Sequence, residues 1–332
     1  MTRDTETGDA PSRPASPVQG LHHVTAISAG AQRNLDFYAG ALGLRFVKKT
    51  VNFDDPGTYH LYYGDRLGRP GTAITFFPWE NAYRGQVGAG QVTITQYAVP
   101  TGSLGFWKDR LPDRGARLIA EETLFGEDRL ILQDPDGLLI ALVATDKDDR
   151  EPWTTAEIGA EAAIRGFHGV TIALRDGAGV AEILTGLFGY ELLAEEDENR
   201  GRIARYATPN ARTARFVDIQ TGDDLPAGVD GAGTVHHVAF SVPDRAAQKQ
   251  VQEAVARAGH RVTPQIDRDY FHAIYFRTPG GVLFEVATDE PGFARDEDPA
   301  HLGEALKLPR QHEPLRERLE RVLPPLKMPE TG

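Results

Sequence analysis

The sequence lacks cysteine and carries an excess of negative charge. None of its 332 residues is Cys, which excludes a disulfide framework, a zinc–thiolate site, an iron–sulfur cluster and a cysteine nucleophile. A cysteine-free chain is compatible with a reducing cytoplasm, and we expect that location. The net charge of −12 argues against nucleic acid or an anionic membrane surface as the main partner, because both require a positive field.

Long apolar runs are also missing. No stretch approaches the roughly 20 apolar residues that a membrane-spanning helix needs. Residues 1–18 are polar, contain no apolar stretch of the signal-peptide type, and are expected to form a disordered tail. In contrast, 35 Gly and 22 Pro indicate many turns and short elements, and the length favours about two domains.

Four segments of the chain open with a similar short, alternating strand, at intervals of about 70 residues. These openings are GLHHVTAIS from Gly20, GQVTITQYAV from Gly90, GFHGVTIAL from Gly166 and GTVHHVAFSV from Gly233. An amphipathic helix is predicted after each of them, over residues 35–42, 104–111, 180–188 and 245–258, and short strand-like runs follow each helix.

The repeats predict an α+β fold of four βαβββ modules, and one such module cannot bury both faces of its sheet. We therefore expect modules to pair into two curved, half-open barrels. The predicted modules span residues 19–82, 88–146, 164–222 and 233–290, with an acidic linker over 146–161. The C-terminal tail, 291–332, contains a predicted amphipathic helix within 309–323, expected to pack on the body or on a neighbouring subunit of a homo-oligomer.

This architecture resembles the vicinal oxygen chelate (glyoxalase-like) superfamily over nearly the whole chain after residue 19. That superfamily includes isomerases, dioxygenases, resistance proteins and binding proteins, so the fold alone does not select a function.

Histidine pairs distinguish two of the four copies. The first strand contains His22-His23 in copy one and His236-His237 in copy four. The second histidine of each pair aligns with Thr93 in copy two and with Gly169 in copy three, so only copies one and four place an imidazole there.

A carboxylate distinguishes copy four in the same way. The turns of DPDGLLIALVA (from Asp134) and TPGGVLFEVAT (from Thr278) align Glu285 with Ala141. A carboxylate within an apolar strand costs several kcal/mol unless it is neutralised, paired or bound to a metal.

His23, His237 and Glu285 fall where the paired modules of this fold place metal ligands. Two imidazoles and one carboxylate form a facial triad that suits non-heme Fe(II), with Mn(II) as the alternative. One chain can assemble this triad only if modules 1 and 4 share a barrel, which leaves modules 2 and 3 to form a second barrel without metal.

The absence of a fourth ligand favours oxygen chemistry. Isomerases of the glyoxalase I type use a second carboxylate from the last strand of the partner module. Here that strand is residues 73–77, which contain no acid, and the nearest one, Glu80, lies beyond Pro78.

Arg268 and Tyr275 come shortly before the ligand strand, in RDYFHAIYFRTP. Tyr275 precedes Glu285 across a hairpin-like turn and is expected to approach the metal from a neighbouring strand. Strict alternation points His22 and His236 to the opposite face of the sheet unless the strand bends.

Three motifs are more distinctive than composition explains: VKKTVNFDDPGTYHLYYGD from Val47, RDYFHAIYFRTPGGVLFEVATDEPGF from Arg268 and LPRQHEPLRERLERVLPP from Leu308. With them the chain resembles the hydroquinone-cleaving branch of ring-cleaving dioxygenases. The resemblance implies that His23, His237 and Glu285 bind Fe(II). It further implies that His236, Arg268 and Tyr275 are catalytic and that His22 and Thr25 line the substrate site.

The first hypothesis is therefore an Fe(II)-dependent dioxygenase that opens the ring of a hydroquinone or catechol, with a small aromatic substrate and O2 as partners. The second is a metal-dependent lyase or isomerase of the glyoxalase type. The third is a non-catalytic protein that binds a quinone or drug. Oxygen consumption, oxygen-independent turnover, or binding without either distinguishes the three.

Overall fold

The computed structural model describes residues 16–198 and 201–329. Its first eight strands are β1 (Leu21–Ser28), β2 (Arg45–Val51), β3 (Tyr59–Gly64), β4 (Ala73–Pro78), β5 (Gln91–Val99), β6 (Arg117–Leu124), β7 (Glu127–Gln133) and β8 (Leu139–Ala144). The next eight are β9 (Gly166–Leu174), β10 (Glu191–Glu198), β11 (Gly201–Ala207), β12 (Phe216–Thr221), β13 (Thr234–Val242), β14 (Ile266–Asp267), β15 (Phe271–Arg277) and β16 (Leu283–Pro291).

Two eight-stranded sheets organise these strands. The first has the order β14-β15-β16-β13-β1-β4-β3-β2, and the second has the order β10-β11-β12-β9-β5-β8-β7-β6. The first and fourth repeats therefore share one sheet, and the second and third share the other. The α+β fold of two half-open barrels with this pairing is confirmed.

One helix follows the first strand of each repeat, as predicted; the first and third helices begin earlier than predicted, and the second and fourth end one residue earlier. The helices are α1 (Ala31–Leu35), α2 (Leu104–Arg110), α3 (Ala178–Gly186), α4 (Arg245–Arg257) and α5 (Arg316–Val322). α1 continues directly into a π-helical turn over Asp36–Ala41, which ends just before Gly43. Gly43 has a φ of 68°, a conformation that a residue with a Cβ rarely adopts.

One apolar cluster extends through both sheets and their helices, with Val24, Tyr97, Phe167 and Phe240 among its buried members. The concave side of the first sheet has a smaller cluster of its own, in which Tyr62, Tyr270, Phe271, Phe293 and Leu302 take part. This second cluster lies beside the predicted metal ligands, so the candidate site packs against a group of apolar side chains that is separate from the main core.

The C-terminal segment crosses the concave side of the first sheet. The ammonium of the fully buried Lys48 lies 2.7 Å from Asp296 Oδ1 and also contacts Glu297. The predicted tail helix begins only at Arg316, and it packs on the same chain through the buried Leu319.

At the N-terminus, residues 1–15 of the predicted disordered tail lie outside the described residues. The end of that predicted tail is ordered, because Val18 is completely buried in the main core and Gln19 N donates to Ser241 O. Among the described helices, none has the length and apolar character needed to cross a bilayer.

Candidate metal centre and active site

The predicted metal ligands come from three adjacent strands, β1, β13 and β16. In the ladder, Ala239 of β13 pairs with His23 on one side and with Glu285 on the other. His237 lies two residues before Ala239, on the same face of the strand. Because Ala239 contributes only a methyl group, the three functional side chains have room to converge in front of it.

The three side chains meet at one point. His23 Nε2 is 3.3 Å from His237 Nε2, and Glu285 Oε2 is 3.4 Å from the first nitrogen and 2.9 Å from the second. These are the atoms of a His-His-Glu group that lie within 4.8 Å of one another, a spacing that suits coordination of a single ion. All three residues are buried.

The Glu285 carboxylate supplies a direct test of whether a cation fits this point. Both of its oxygens are buried, and apart from the close contacts of Oε2 with the His23 and His237 nitrogens, neither makes a hydrogen bond of good geometry among the described residues. Burial raises the pKa of Glu285, but the imidazoles of His23 and His237 outweigh burial and hold that pKa well below its usual range. An ionised, buried carboxylate whose close polar neighbours are two imidazole nitrogens is a set of donor atoms that fits a divalent cation.

Two β-bulges bring the preceding histidines to the same region. The pairing of β1 with β13 slips between Leu21 and His23 and again between Thr25 and Ala26, which leaves His22 and His236 as the extra residues. A bulge breaks the alternation of the strand and redirects the side chain. The alternation-based expectation that both rings point to the opposite face is therefore corrected.

Each of these histidines contacts the other ring nitrogen of a predicted ligand. His22 Nδ1 is 2.9 Å from His23 Nδ1, and His236 Nδ1 is 2.8 Å from His237 Nδ1. A metal bound at Nε2 requires the ligand to carry its proton on Nδ1, so the ligand donates and its neighbour accepts. Burial, with His23 nearby, lowers the pKa of His22 to about 3, which keeps this ring neutral and able to accept.

In these tautomers, His22 and His236 differ in whether a ring N–H is left free to bind a ligand. His22 Nε2 then carries a proton and donates it to Thr288 O at 3.2 Å, so every polar atom of the His22 ring is used inside the protein. His236 Nε2 also carries a proton, but no bond to it is found in the described part of the chain, and its ring borders a cavity. His236 therefore presents a donor to a ligand, whereas His22 does not.

The cavity beside the three predicted ligands has a volume of about 280 Å³. It is lined by aromatic rings and a few polar groups, and the residues other than the ligands are Asn52, Phe53, Asp54, His60, Tyr62, Phe77, Trp79, His236, Arg268, Phe271, Tyr275 and Leu283. A site of this size and character accommodates a small flat ring.

Arg268 and Tyr275, both predicted as catalytic, meet at this cavity. Tyr275 pairs directly with Glu285 across the β15–β16 hairpin. Arg268 Nε donates to the Tyr275 hydroxyl at 3.3 Å, and its guanidinium lies 3.7 Å from Asp54. Burial and the Glu285 charge raise the pKa of Tyr275, so its phenol stays protonated and can donate to a ligand.

His22 and Thr25, which were predicted to line the substrate site, are not among the residues that line the cavity in the described chain. His22 is buried behind His23 as described above, and Thr25 Oγ1 bonds Thr75 Oγ1 at 2.8 Å. The bulge turns His22 toward Thr288, and the Thr25 hydroxyl is used within the protein by Thr75, so neither side chain offers a polar group to the cavity.

Thr75 occupies the place of a fourth ligand. In module 4, Glu285 pairs with Ala239, which lies two residues after His237. The corresponding residue of module 1 is the one that pairs with Thr25, two residues after His23, and that residue is Thr75. The carboxylate of Glu80 lies beyond the end of β4 and accepts from Ala31 N at 3.0 Å, at the start of α1.

The second barrel contains a carboxylate at the corresponding place, which the sequence comparison missed. Asp218 pairs with Thr171, which lies two residues after Gly169. In the same way, Glu285 pairs with Ala239, which lies two residues after His237. The expectation that this carboxylate distinguishes copy four, which was drawn from Ala141 of copy two, is corrected for copy three. The guanidinium of Arg205 binds both Asp218 oxygens at 2.8 and 2.9 Å, so a side-chain cation compensates this buried acid.

The alignment of copy two also shifts by one residue. Ile94 pairs with Thr171 as His23 pairs with Ala239, and each strand has a bulge just before this residue, between Val92 and Ile94 in β5 and between Leu21 and His23 in β1. Ile94, and not Thr93, therefore stands at the position of His23. Because both strands have the bulge at the same place, aligning Val92 with Leu21 puts Ile94 opposite His23, and the sequence comparison had placed copy two one residue out of register.

His60 and Tyr62 are lining residues that the site prediction did not include. The available signal was their two-residue spacing within the distinctive segment that begins at Val47, because side chains two apart on a strand share a face. The aromatic residues Phe76 and Phe284, by contrast, belong to the main core.

Comparisons with known proteins agree with this geometry. A family model described as the Glyoxalase/Bleomycin resistance protein/Dioxygenase superfamily matches residues 20–142 and 166–286. The chain is 44% identical over 316 residues to "Putative ring-cleaving dioxygenase MhqO" of Bacillus subtilis (strain 168), covering 95% of this chain and 99% of that protein. It is 36% identical over 313 residues to "Chlorohydroquinone/hydroquinone 1,2-dioxygenase" of Sphingobium indicum, covering 92% of this chain and 96% of that protein.

Solved structures show the same fold. A "putative dioxygenase" from Bacillus subtilis subsp. subtilis str. 168 superposes with a TM-score of 0.90 at 43% identity, over 95% of this chain and all of that one. Glyoxalase I from Zea mays superposes with a TM-score of 0.59 at 15% identity, over 81% and 92% of the two chains, which shows the fold alone. The repeats, the paired half-barrels and these matches together establish that the chain belongs to the glyoxalase/bleomycin resistance protein/dioxygenase superfamily, known also as the vicinal oxygen chelate superfamily.

Proposed function

We propose that this protein is an Fe(II)-dependent dioxygenase that cleaves the ring of a hydroquinone or catechol, with Mn(II) as the alternative metal. The observation that carries the proposal is the buried Glu285 carboxylate, which converges with two imidazole nitrogens at one point beside an aromatic cavity. Relatives with 44% and 36% identity over most of the chain carry names of ring-cleaving and hydroquinone-cleaving dioxygenases, which supports the same chemistry.

His23, His237 and Glu285 would hold the metal. When bound by two imidazoles and one carboxylate, Fe(II) keeps open positions for substrate and oxygen and supplies the electron exchange that oxygen activation needs.

The remaining lining residues would bind and orient the diol. The rings of Phe77, Trp79 and Phe271 offer flat apolar walls, which exclude water from the aromatic substrate. The Arg268 guanidinium places a positive charge beside the Tyr275 hydroxyl, where it stabilises a substrate phenolate.

Two protonated groups face the bound diol. Tyr275 keeps its phenol proton, and His236 carries a proton on Nε2 when Nδ1 accepts from His237. Each is placed to give a proton to an oxygen atom of the opening ring.

The glyoxalase-type alternative finds less support in the site. The isomerases of this fold that the sequence resembles use a second carboxylate from the partner module, and Thr75 stands at that place. The carboxylates that line the cavity are Glu285 and Asp54, and the Asp54 side chain is 85% exposed. A small aromatic diol and O2 are the partners that we propose, in the cytoplasm.

The test combines metal analysis of anaerobically purified protein with oxygen uptake on hydroquinone and catechol. We expect one iron per chain and one O2 consumed per diol. Glu285→Gln should lose the metal, while the same change at the exposed helix position Glu253 should retain it. Stoichiometric iron in Glu285→Gln would contradict the ligand assignment, and substrate turnover without oxygen would contradict ring cleavage.

A further inference from the structure

A buried chain of hydrogen bonds leads from the fourth-ligand position to the cavity. Thr25 Oγ1 and Thr75 Oγ1 are 2.8 Å apart, His60 Nε2 is 2.8 Å from Thr75 Oγ1, and the Tyr62 hydroxyl is 2.9 Å from His60 Nδ1. The two threonines are completely buried, and His60 and Tyr62 are nearly so. The chain ends at Tyr62 because no further bond to its hydroxyl is found among the described residues.

Whichever way these hydrogen bonds run, the Tyr62 hydroxyl keeps one donor or acceptor position that no other described residue uses. If Tyr62 donates to His60 Nδ1, then His60 Nε2 donates to Thr75, and the Tyr62 oxygen still accepts. If His60 Nδ1 donates to Tyr62, then Thr75 donates to His60 Nε2, and the Tyr62 O–H still donates. Both nitrogens of His60 are used in either case, so His60 positions Tyr62 and has nothing left for a ligand.

Tyr62 and His60 lie on a different part of the cavity wall from the predicted metal ligands. In the sheet, β3 follows β4, which follows β1, so Tyr62 is separated from His23 by a whole strand. Aromatic rings surround the pair: the His60 ring centroid is 4.4 Å from that of Phe77 and 4.1 Å from that of Tyr62. A polar pair in an apolar wall has little use for packing, because buried polar groups do not stabilise a fold more than apolar groups of the same shape.

We propose that Tyr62, positioned by His60, binds the hydroxyl of the aromatic diol that lies away from the metal-ligand cluster. This inference rests on the proposed function for the identity of the ligand. The two oxygens of a 1,2-diol are adjacent and can both face the ligand cluster. The oxygens of a 1,4-diol are at opposite ends of the ring, so the second one needs a partner elsewhere in the cavity. Tyr62 and His60 therefore determine the preference between the two substrate geometries.

The test compares Tyr62→Phe with Tyr63→Phe, a matched control on the same strand. Tyr63 points to the other face, is completely buried, and donates to Asn34 Oδ1 at 2.9 Å, so its variant removes an equally buried hydroxyl from the main core. Binding of hydroquinone and catechol to the anaerobic Fe(II) protein is measured by calorimetry, together with the iron content. We expect Tyr62→Phe to weaken hydroquinone binding about tenfold and catechol binding less than twofold, whereas Tyr63→Phe changes neither.

The positioning role of His60 has its own readout. His60→Phe should reduce the preference for hydroquinone as Tyr62→Phe does, and His60→Gln, whose amide can still bond Tyr62, should restore part of it. Equal losses for both diols in Tyr62→Phe, or no loss for either, would overturn the inference even if the His60 variants fail to fold. Selective loss of hydroquinone binding in a protein that consumes no oxygen would refute ring cleavage while supporting the Tyr62 contact.

Discussion

Replacing His22 by Phe tests whether the residue behind a predicted ligand controls metal affinity. In the folded protein, His22 Nδ1 is the acceptor for His23 Nδ1, and both rings are almost completely buried. Phe fills a similar space but accepts no hydrogen bond. The substitution therefore removes one acceptor beside the metal site and leaves His23, His237 and Glu285 in place.

The penalty of this change falls on the metal-bound protein. Without metal, His23 can move its proton to Nε2, which faces Glu285 Oε2 at 3.4 Å. With metal on Nε2, the proton must stay on Nδ1, where it is buried without an acceptor. A buried unsatisfied donor costs about 1–3 kcal/mol, and loss of such a partner weakens metal binding by about 10–100-fold. We expect a loss within that range, or about 1.4–2.8 kcal/mol.

Competition of the protein with a chelator for Co(II) measures this affinity without oxygen chemistry. His301→Phe is the control, because the His301 side chain is 66% exposed on the surface. His22→Gln, which keeps an acceptor, should lose less affinity than His22→Phe. Unchanged Co(II) affinity in a folded His22→Phe protein, or an equal loss in His301→Phe, would refute the tautomer argument.

Three further predictions concern other parts of the molecule. Tyr275→Phe should slow oxygen uptake at least about tenfold with unchanged iron content, because it removes a proton donor at the cavity; unchanged kinetics would remove Tyr275 from the mechanism. Gly169→His should leave the iron stoichiometry at one per chain, because Arg205 already compensates the nearby Asp218 carboxylate. It should also lower the free energy of unfolding, because a Cβ at Gly169 would lie 2.6 Å from a backbone oxygen. Two irons per chain would contradict this prediction. Burial raises the pKa of Glu127, but His168 and Arg205 outweigh it and lower that pKa from 4.5 to about 2, so its stabilisation is present above pH 4.5 and is lost as the pH falls toward 2. Glu127→Gln should therefore lower the free energy of unfolding in urea by about 2–3 kcal/mol at pH 7, with a difference from the wild type that narrows below pH 4.5; a constant difference would contradict the linkage.

The pairing of the modules was predictable because the repeats provide an internal comparison. His23 and His237 occur only in the outer copies, and one metal site can use both only if those copies share a sheet. The approach of Tyr275 to Glu285 followed from the length of the turn between their strands. Both inferences rely on the number of residues between two positions, which can be counted directly in the sequence.

The missed features depend on contacts between distant segments. The bulges at His22 and His236 arise where β1 and β13 pair, and neither strand alone shows them. Asp218 was overlooked because the turn before its strand is longer than the turns by which copies two and four were aligned, and the ladder reveals that this acid is equivalent to Glu285.

The sequence separation of His23 and His237 has a consequence for biosynthesis. These residues are 214 positions apart, although their side chains are in contact. A chain emerging from the ribosome contains no complete set of donor atoms until β16, near its end, has been made. A metal ion that needs all three of these donors can therefore bind only after nearly the whole chain has been made, and a chain truncated before β16 would lack the Glu285 carboxylate.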